Sequence, residues 1–506
     1  MVAILLSRIL GFVRETVIGM QFGSNWLTDA YIAAFTIPDL VYYLLIGGAL
    51  SAAFIPVFTE YVVKGEVEEA WKIVSTIINL ILLVLGTIIL LGIIFAPFLV
   101  PLVAYNFQGQ TLDLTVFLTR LMFPAVIFHA LNGLAMGILN SYDHFTTPAL
   151  GSVVYNIVII LAAFILGPQI GIAGMSIGVV IGAATSFLMQ YYVLSKRGIR
   201  YQWIIDLKHP GVRKIGKLML PAMIGLSIIQ VNLVVNQNFA SALAEGSITA
   251  LRFANRLVQL PYGIFASAIG MAIFPTLTRQ AAQKSLPELK QTLSLGIRIT
   301  NFLSIPAAVG LIALSVPVVR LLFEQGKFGP EATYATAFAL VFYSLGILSQ
   351  CAIAIITRGF YALQDTVTPL KVGLLTVLLN VIFNFLLIKP LAHGGLALAF
   401  SLTGTINMFI LLIILRNKIG NIDGRNIVIS SAKTLLAALF MGGVSYLTAQ
   451  GVGPWLDLHS KTGQLLQVGL AMTSGVSVFL IFAYIFKLQE LNFVFNLLTK
   501  KIMRQA

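Results

Sequence analysis

Apolar runs long enough to cross a bilayer recur from one end of the chain to the other, and no polar stretch of domain size separates them. The pattern divides into about fourteen spans: 3–22, 29–60, 73–103, 114–141, 147–167, 172–195, 216–243, 248–279, 293–323, 333–363, 368–389, 394–416, 428–449 and 464–486. The expected fold is therefore an all-α integral membrane protein. The first run carries arginines and no small-residue cleavage site, so it reads as a retained helix, not a signal peptide. It starts almost at the first residue, which suggests that the sequence begins late.

The two halves resemble one another at a shift of about 220 residues. Phe54-Ile55-Pro56-Val57-Phe58-Thr59 matches Phe274-Pro275-Thr276-Leu277-Thr278, Thr147-Pro148 matches Thr368-Pro369, and Gly171-Ile172-Ala173 resembles Gly395-Leu396-Ala397. Each copy has six spans, an even number, so both have the same orientation. The architecture expected is two six-helix lobes related by a parallel repeat, plus two C-terminal helices outside it. The boundaries expected are 1–200 for the first lobe, 201–215 for an amphipathic linker, 216–420 for the second lobe, and 421–506 for the last two spans and tail. Pro38 and Pro56 in span two, and Pro261 and Pro275 in span eight, should bend equivalent helices.

Composition sharpens the membrane reading. Of 506 residues 58% are hydrophobic and only 10% charged, and a mean hydropathy of +0.95 excludes a soluble globular protein. The net charge of +14 concentrates in Lys196, Arg197, Arg200, Lys208, Arg213, Lys214 and Lys217 after span six, in Lys284 and Lys290, in Lys418 and Arg425, and in Lys487, Lys500, Lys501 and Arg504 of the tail. By the positive-inside rule both termini should be cytoplasmic, with the linker's Tyr201, Trp203, Ile204 and Ile205 along the cytoplasmic surface. Cys351 is the single cysteine, so no intrachain disulfide can form. His129, alone in an apolar span, reads as a core imidazole.

Charged residues within spans carry the functional signal, because each costs roughly 2.5–3.5 kcal/mol at a bilayer centre. In SRILGFVRE (Ser7 to Glu15), Arg8, Gly11, Arg14 and Glu15 fall within an arc of about 120°. In span eight Arg252, Asn255, Arg256 and Gln259 follow i, i+3, i+4, i+7 and form one polar stripe. Arg120 and Arg358 are weaker candidates, and the acids at membrane depth are Glu15, Asp29 and Asp39. An excess of guanidinium suits an anionic, phosphate-bearing substrate, since its planar fork stays charged when desolvated. The competing reading makes these arginines structural, bonded to carbonyls at kinks. No phosphate loop, H-E-x-x-H or paired-acid motif is present, so neither ATP use nor hydrolysis is expected, and no cofactor is implied. The stretch Glu324-Gln325-Gly326-Lys327-Phe328-Gly329 lacks phosphate-loop spacing.

Taken together, SRILGFVRE, TDAY (Thr28 to Tyr31), PDL (Pro38 to Leu40), AAFIP (Ala52 to Pro56), ANRLVQLPYG (Ala254 to Gly263), LFEQGKF (Leu322 to Phe328) and GFYALQDTVTP (Gly359 to Pro369) resemble the MurJ (MviN) lipid II flippases of the multidrug/oligosaccharidyl-lipid/polysaccharide exporter superfamily. The resemblance covers nearly the whole chain. It implies two six-helix lobes and an extra pair of helices forming a lipid-tail groove. It also implies movement of an undecaprenyl-pyrophosphate-linked peptidoglycan precursor to the outer leaflet of the bacterial cytoplasmic membrane. By motif, Arg8, Arg14 and Arg256 resemble the family's cavity arginines, and Asp29 its acidic residue early in span two. The chain departs from the pattern after PDL, where Tyr42 and Tyr43 stand in place of an arginine, followed by Gly47 and Gly48 without the glutamate. A sodium site of the kind proposed for the family would fall near Asn236, Asn380 and Asn384, neutral residues that compensate a cation poorly, so no metal is assigned.

The expectation is a lipid II flippase working by alternating access, not an enzyme, with lipid II and the bilayer as partners, cell-wall synthesis proteins as candidate protein partners, no nucleic acid, and a monomeric state. Substrate binding falls to Arg8, Arg14, Arg256, Arg252, Asn255 and Gln259, and gating or ion pairing to Glu15, Asp29 and Asp39. The alternatives are an exporter of another lipid-linked oligosaccharide, an intramembrane glycosyltransferase, for which no external loop is long enough, and a scaffold for cell-wall synthases, which leaves the arginines unexplained.

Overall fold

The computed structural model describes residues 2–45, 49–196, 198–491 and 493. Gly47 and Gly48 lie outside them. In chain order the helices are α1 (Val2–Phe22), α2 (Trp26–Leu45), α3 (Ala49–Val63), α4 (Val67–Val103), α5 (Gly109–Met122), α6 (Ala125–Ser141), α7 (Thr146–Ile165), the one-turn α8 (Gly167–Ile170), α9 (Ala173–Ser195) and α10 (Pro210–Ala240). They continue with α11 (Ser247–Pro261), a π-helical turn at Tyr262–Ala266, α12 (Ser267–Ala282), α13 (Leu286–Ala313), α14 (Ser315–Phe323), α15 (Pro330–Ser344), α16 (Ile347–Ala362), α17 (Val367–Ile419), α18 (Gly424–Val452) and α19 (Lys461–Ile485).

Among the described residues the apolar runs read from the sequence are largely helical, and the fold is all-α. The count of fourteen spans is not confirmed: among the described residues nine helices are long and apolar enough to cross a membrane, or ten if α15 and α16, bent by 43°, form one span. The charged residues of α1 and the two acids of α2 interrupt their apolarity. Helix α17 runs through two of the expected spans, and the boundary between them survives as a break at Ala392, whose φ of 47° is non-helical, two residues after Pro390. The π turn follows Pro261 in the same way.

The chain forms two compact units, Met1–Thr249 with Gln325–Phe328, and Ala250–Glu324 with Gly329–Ala506. Lipid tails are as apolar as leucine, so helices must associate through close packing and polar contacts. In the first unit α7 and α9 do so through small residues: a methyl at Gly178 would come 2.5 Å from the Cβ of Ala162. Ser186 and Gln190 of α9 both donate to Asn132 Oδ1 of α6. Phe54, Phe58, Trp71 and Phe123 fill a core shared by α3, α4, α5 and α6. In the second unit α13 packs on α18 and α19, where Phe302 meets Phe479 and Phe440 stacks on Phe482 with centroids 4.3 Å apart. There Arg298 Nε donates to Glu490 Oε1 at 2.5 Å, and Ser430 donates to the same oxygen at 2.9 Å.

Candidate functional site

The polar residues singled out in the sequence fall into two groups, one in each unit. In the first unit, Arg8 is exposed on α1. Two turns on, the Arg14 guanidinium donates to Glu15 Oε1 at 2.8 Å, with the two side chains 13% and 2% exposed. Arg14 is thus a paired cation whose partner is buried.

The turn that follows α1 is held on several sides. Asp29, in the first turn of α2, accepts from Gly246 N at 2.7 Å through Oδ2, and from Thr249 N at 2.9 Å and Thr249 Oγ1 at 2.6 Å through Oδ1. Its carboxylate is therefore taken up by the backbone amides that open α11, where a negative charge also complements the helix dipole. Ser24 Oγ donates to Gly246 O at 3.0 Å, and Thr249 Oγ1 lies 3.0 Å from Thr28 Oγ1. On the other side Lys327 N donates to Met20 O at 2.8 Å. Gly326 holds φ +59°, and a Cβ there would strike the Met20 carbonyl, which explains the glycine of LFEQGKF. Sequence reasoning flagged Asp29 and the LFEQGKF stretch but missed Gly246 and Thr249, more than 200 residues away; the one local signal was a glycine and a threonine at the start of an amphipathic helix.

In the second unit α11 is strongly two-sided. Leu251, Phe253, Ala254, Leu257 and Val258 are buried, with Phe253 stacked on Phe323 at 4.7 Å. The opposite stripe runs from half-buried Arg252 and Asn255 to exposed Arg256 and Gln259. The i, i+3, i+4, i+7 pattern therefore does mark one accessible polar face carrying two guanidinium groups.

The weaker arginine candidates behave differently. Arg120 Nε donates to Ile93 O at 2.9 Å, and Arg358 Nη1 to Ala354 O at 3.0 Å, with the Arg358 guanidinium lying over Gly270. These two fit the structural reading. Asp39 lines a cavity of about 10 Å³, room for about one water, together with Phe35, Tyr42 and His129. The His129 ring packs between Tyr42 and Tyr155, with centroids 5.5 and 5.2 Å away, as a core imidazole would. Where the resemblance implies a sodium site, Asn384 Nδ2 donates to Asn380 Oδ1 (3.2 Å), Asn380 Nδ2 to Thr403 Oγ1 (3.4 Å) and Thr403 Oγ1 to Ala399 O (2.7 Å). These groups are neutral amides and a hydroxyl bonded to one another, and they bring no carboxylate to balance a cation's charge. Among the described residues no group of three or more His, Cys, Asp or Glu could hold a metal.

A family model described as "Lipid II flippase MurJ" matches residues 18–463. The chain belongs to the MurJ family. A lipid II flippase MurJ of Burkholderia cenocepacia is 32% identical over 82% of this chain and 82% of its own length. A probable lipid II flippase MurJ of Buchnera aphidicola is 31% identical over 98% and 97%. Among solved structures, a lipid II flippase MurJ in an inward closed conformation, 29% identical, covers 96% of this chain and 98% of its own, with a TM-score of 0.80. An inward-facing MATE family transporter of the MOP superfamily, 15% identical, has a TM-score of 0.70 over 82% of this chain and shares the fold. The MurJ motifs thus have identifiable local jobs: TDAY supplies the Asp29 acceptor, LFEQGKF the glycine turn against Met20, and ANRLVQLPYG the polar stripe and the proline before the π turn.

Proposed function

We propose that this chain moves lipid II from the inner to the outer leaflet of the bacterial cytoplasmic membrane by alternating access, with both termini cytoplasmic. Membership of the MurJ family supports the substrate and the compartment, and the exposed Arg252–Gln259 face of α11 is the observation that carries the binding role. Arg256 and Arg252 hold the pyrophosphate, and Asn255 and Gln259 meet the sugars through neutral hydrogen bonds. Within the first unit Arg8 and Arg14 carry positive charge, which Glu15 and Asp39 tune. The Asp29 clasp holds the turn after α1 and is released when the protein opens outward. The lipid tail stays in the membrane along α18 and α19. The chemistry asked of the protein is positioning and charge compensation, with no bond made or broken, which supports a transporter over an enzyme.

Reconstitution of the full chain in liposomes tests the substrate. Labelled lipid II should become accessible outside at a rate at least tenfold above protein-free vesicles, and an undecaprenyl-linked sugar without peptide should lag behind. Equal rates for the two would favour the broader reading of an exporter for lipid-linked oligosaccharides, and no movement of either would end the proposal.

A further inference from the structure

The connection between α9 and α10 is a strap riveted to α4. Residues 198–209 contain no helix. Ser75, Thr76 and Asn79 are buried polar residues in an otherwise apolar span, a costly placement unless they are hydrogen-bonded. Their partners are the strap's backbone. Gln202 N donates to Ser75 Oγ at 3.0 Å, Asn79 Nδ2 donates to Gln202 O at 3.3 Å and to Ile204 O at 2.9 Å, and Asp206 N donates to Thr76 Oγ1 at 3.3 Å. Tyr201 Oη closes the set by donating to Asn79 Oδ1 at 2.6 Å. At the far end Gly211 N donates to His209 Nδ1, so Nε2 carries the proton it gives to Glu69 Oε2 at 3.0 Å.

Because Gln202, Ile204 and Asp206 turn their backbone to α4, the residues between them turn outward. Trp203 is 87% exposed, Leu207 57% and Ile205 50%. No other described segment outside the helices offers such an alternation of apolar side chains. The surrounding charge has a definite sign. Glu60 is engaged by Lys64 and Lys214, Glu68 by Arg200, and Glu69 by Lys72 and His209. Exposed Lys208, Arg213 and Lys217 then outnumber Asp206, whose Oδ1 accepts from Lys208 N and His209 N, and make the field beside the tryptophan positive.

We infer that this strap is a binding surface for anionic phospholipid, with the Trp203 indole in the headgroup layer and Lys208, Arg213 and Lys217 against the phosphates. The strap follows α9, which is long and apolar enough to cross a membrane, so it sits where the chain leaves the bilayer, the level at which tryptophan and basic side chains together are favoured. A positive, aromatic surface there complements a leaflet rich in anionic lipid, and each basic residue adds about fivefold to its affinity. The rivets to α4 pre-organise the surface, so little ordering is needed on binding.

The test uses the full chain in nanodiscs of phosphatidylcholine containing either brominated phosphatidylglycerol or the same fraction of brominated phosphatidylcholine. The Trp203 signal is isolated from the other three tryptophans as the difference between wild type and Trp203→Phe. That signal should be quenched at least twice as strongly by the anionic lipid. The Lys208→Gln, Lys217→Gln double variant should bring the ratio close to one while its melting temperature is unchanged, and millimolar inorganic phosphate should have no effect. A ratio of one in the wild type, or a preference that survives in the Lys208→Gln, Lys217→Gln variant, overturns the inference. So does loss of the preference on adding phosphate, which would indicate a soluble anion, and so does a tryptophan quenched by neither lipid, which would leave the face to water or a protein. Lipid II flipping measured in the same preparations can fail independently, so the two readings are separable.

Discussion

The turn after α1 and the outer face of α11 carry the same kinds of polar group, and the fold treats them in opposite ways. At the turn Arg14 is held by Glu15, and Asp29 by the amides of Gly246 and Thr249. On α11 the polar residues run outward to exposed Arg256 and Gln259, while the apolar side is packed away. Polar groups buried in fixed hydrogen bonds hold a structure in place, whereas an exposed polar face can be reached by a ligand.

That contrast should be most visible in Arg14. Arg14→Ala takes the guanidinium away from a Glu15 side chain that is 2% exposed, and breaking a buried pair in this way should cost about 3–5 kcal/mol of stability. Thermal unfolding of the purified protein should show it, and Glu15→Gln in the same chain should recover much of the loss. A well-folded single variant would mean that Arg14 belongs with the accessible arginines.

Gly326→Ala sharpens the turn's half of the comparison. It places a Cβ against the Met20 carbonyl at a left-handed φ, with an expected cost of about 1–3 kcal/mol. A cysteine placed at Ser24 should then react faster with a membrane-impermeant reagent than it does in the parent chain. An unchanged rate would show that the turn does not depend on this contact.

The smallest effect lies outside the spans, at Asp365. Lys418 Nζ at 2.7 Å, with Thr368 N at 2.9 Å and Thr368 Oγ1 at 2.7 Å, holds its carboxyl well below the usual carboxylate range. A depressed folded-state value contributes stability that is complete above the ordinary carboxylate pKa of about 4 and is lost as the pH falls from there through the folded value. Melting temperature against pH should therefore drop on the acid side of about pH 4, and Asp365→Asn should flatten that limb. A limb identical in the variant would assign the acid sensitivity elsewhere.

The helices were legible in the sequence because apolar runs of spanning length leave few alternatives, and even the break in α17 announced itself through Pro390 and the gap between two runs. The stripe of α11 was legible because its period is local. The partners were not. Nothing near Asp29 indicates that its acceptors will meet Gly246 and Thr249, and nothing near Arg120 reveals the Ile93 carbonyl that occupies it. The polar trio Ser75, Thr76 and Asn79 sat in plain view within a span, and its spacing of i, i+1, i+4 on one side of α4 was the available sign that something polar lay across it. Long-range hydrogen bonds have no sequence period, so an intramembrane arginine reads the same whatever its partner.

Flipping of labelled lipid II by Arg256→Ala, measured beside Arg358→Ala in liposomes at matched amounts of folded protein, separates a binding role from a structural one most directly. Arg256→Ala should lose at least tenfold in rate, in line with roughly 1.5–3 kcal/mol for a hydrogen bond to a charged group, with its melting temperature unchanged, and Arg256→Lys should recover only part because a point charge cannot reproduce the planar fork. Arg358→Ala should melt lower and flip normally per folded molecule. Normal flipping by a stable Arg256→Ala would contradict the assignment of the α11 face to the substrate.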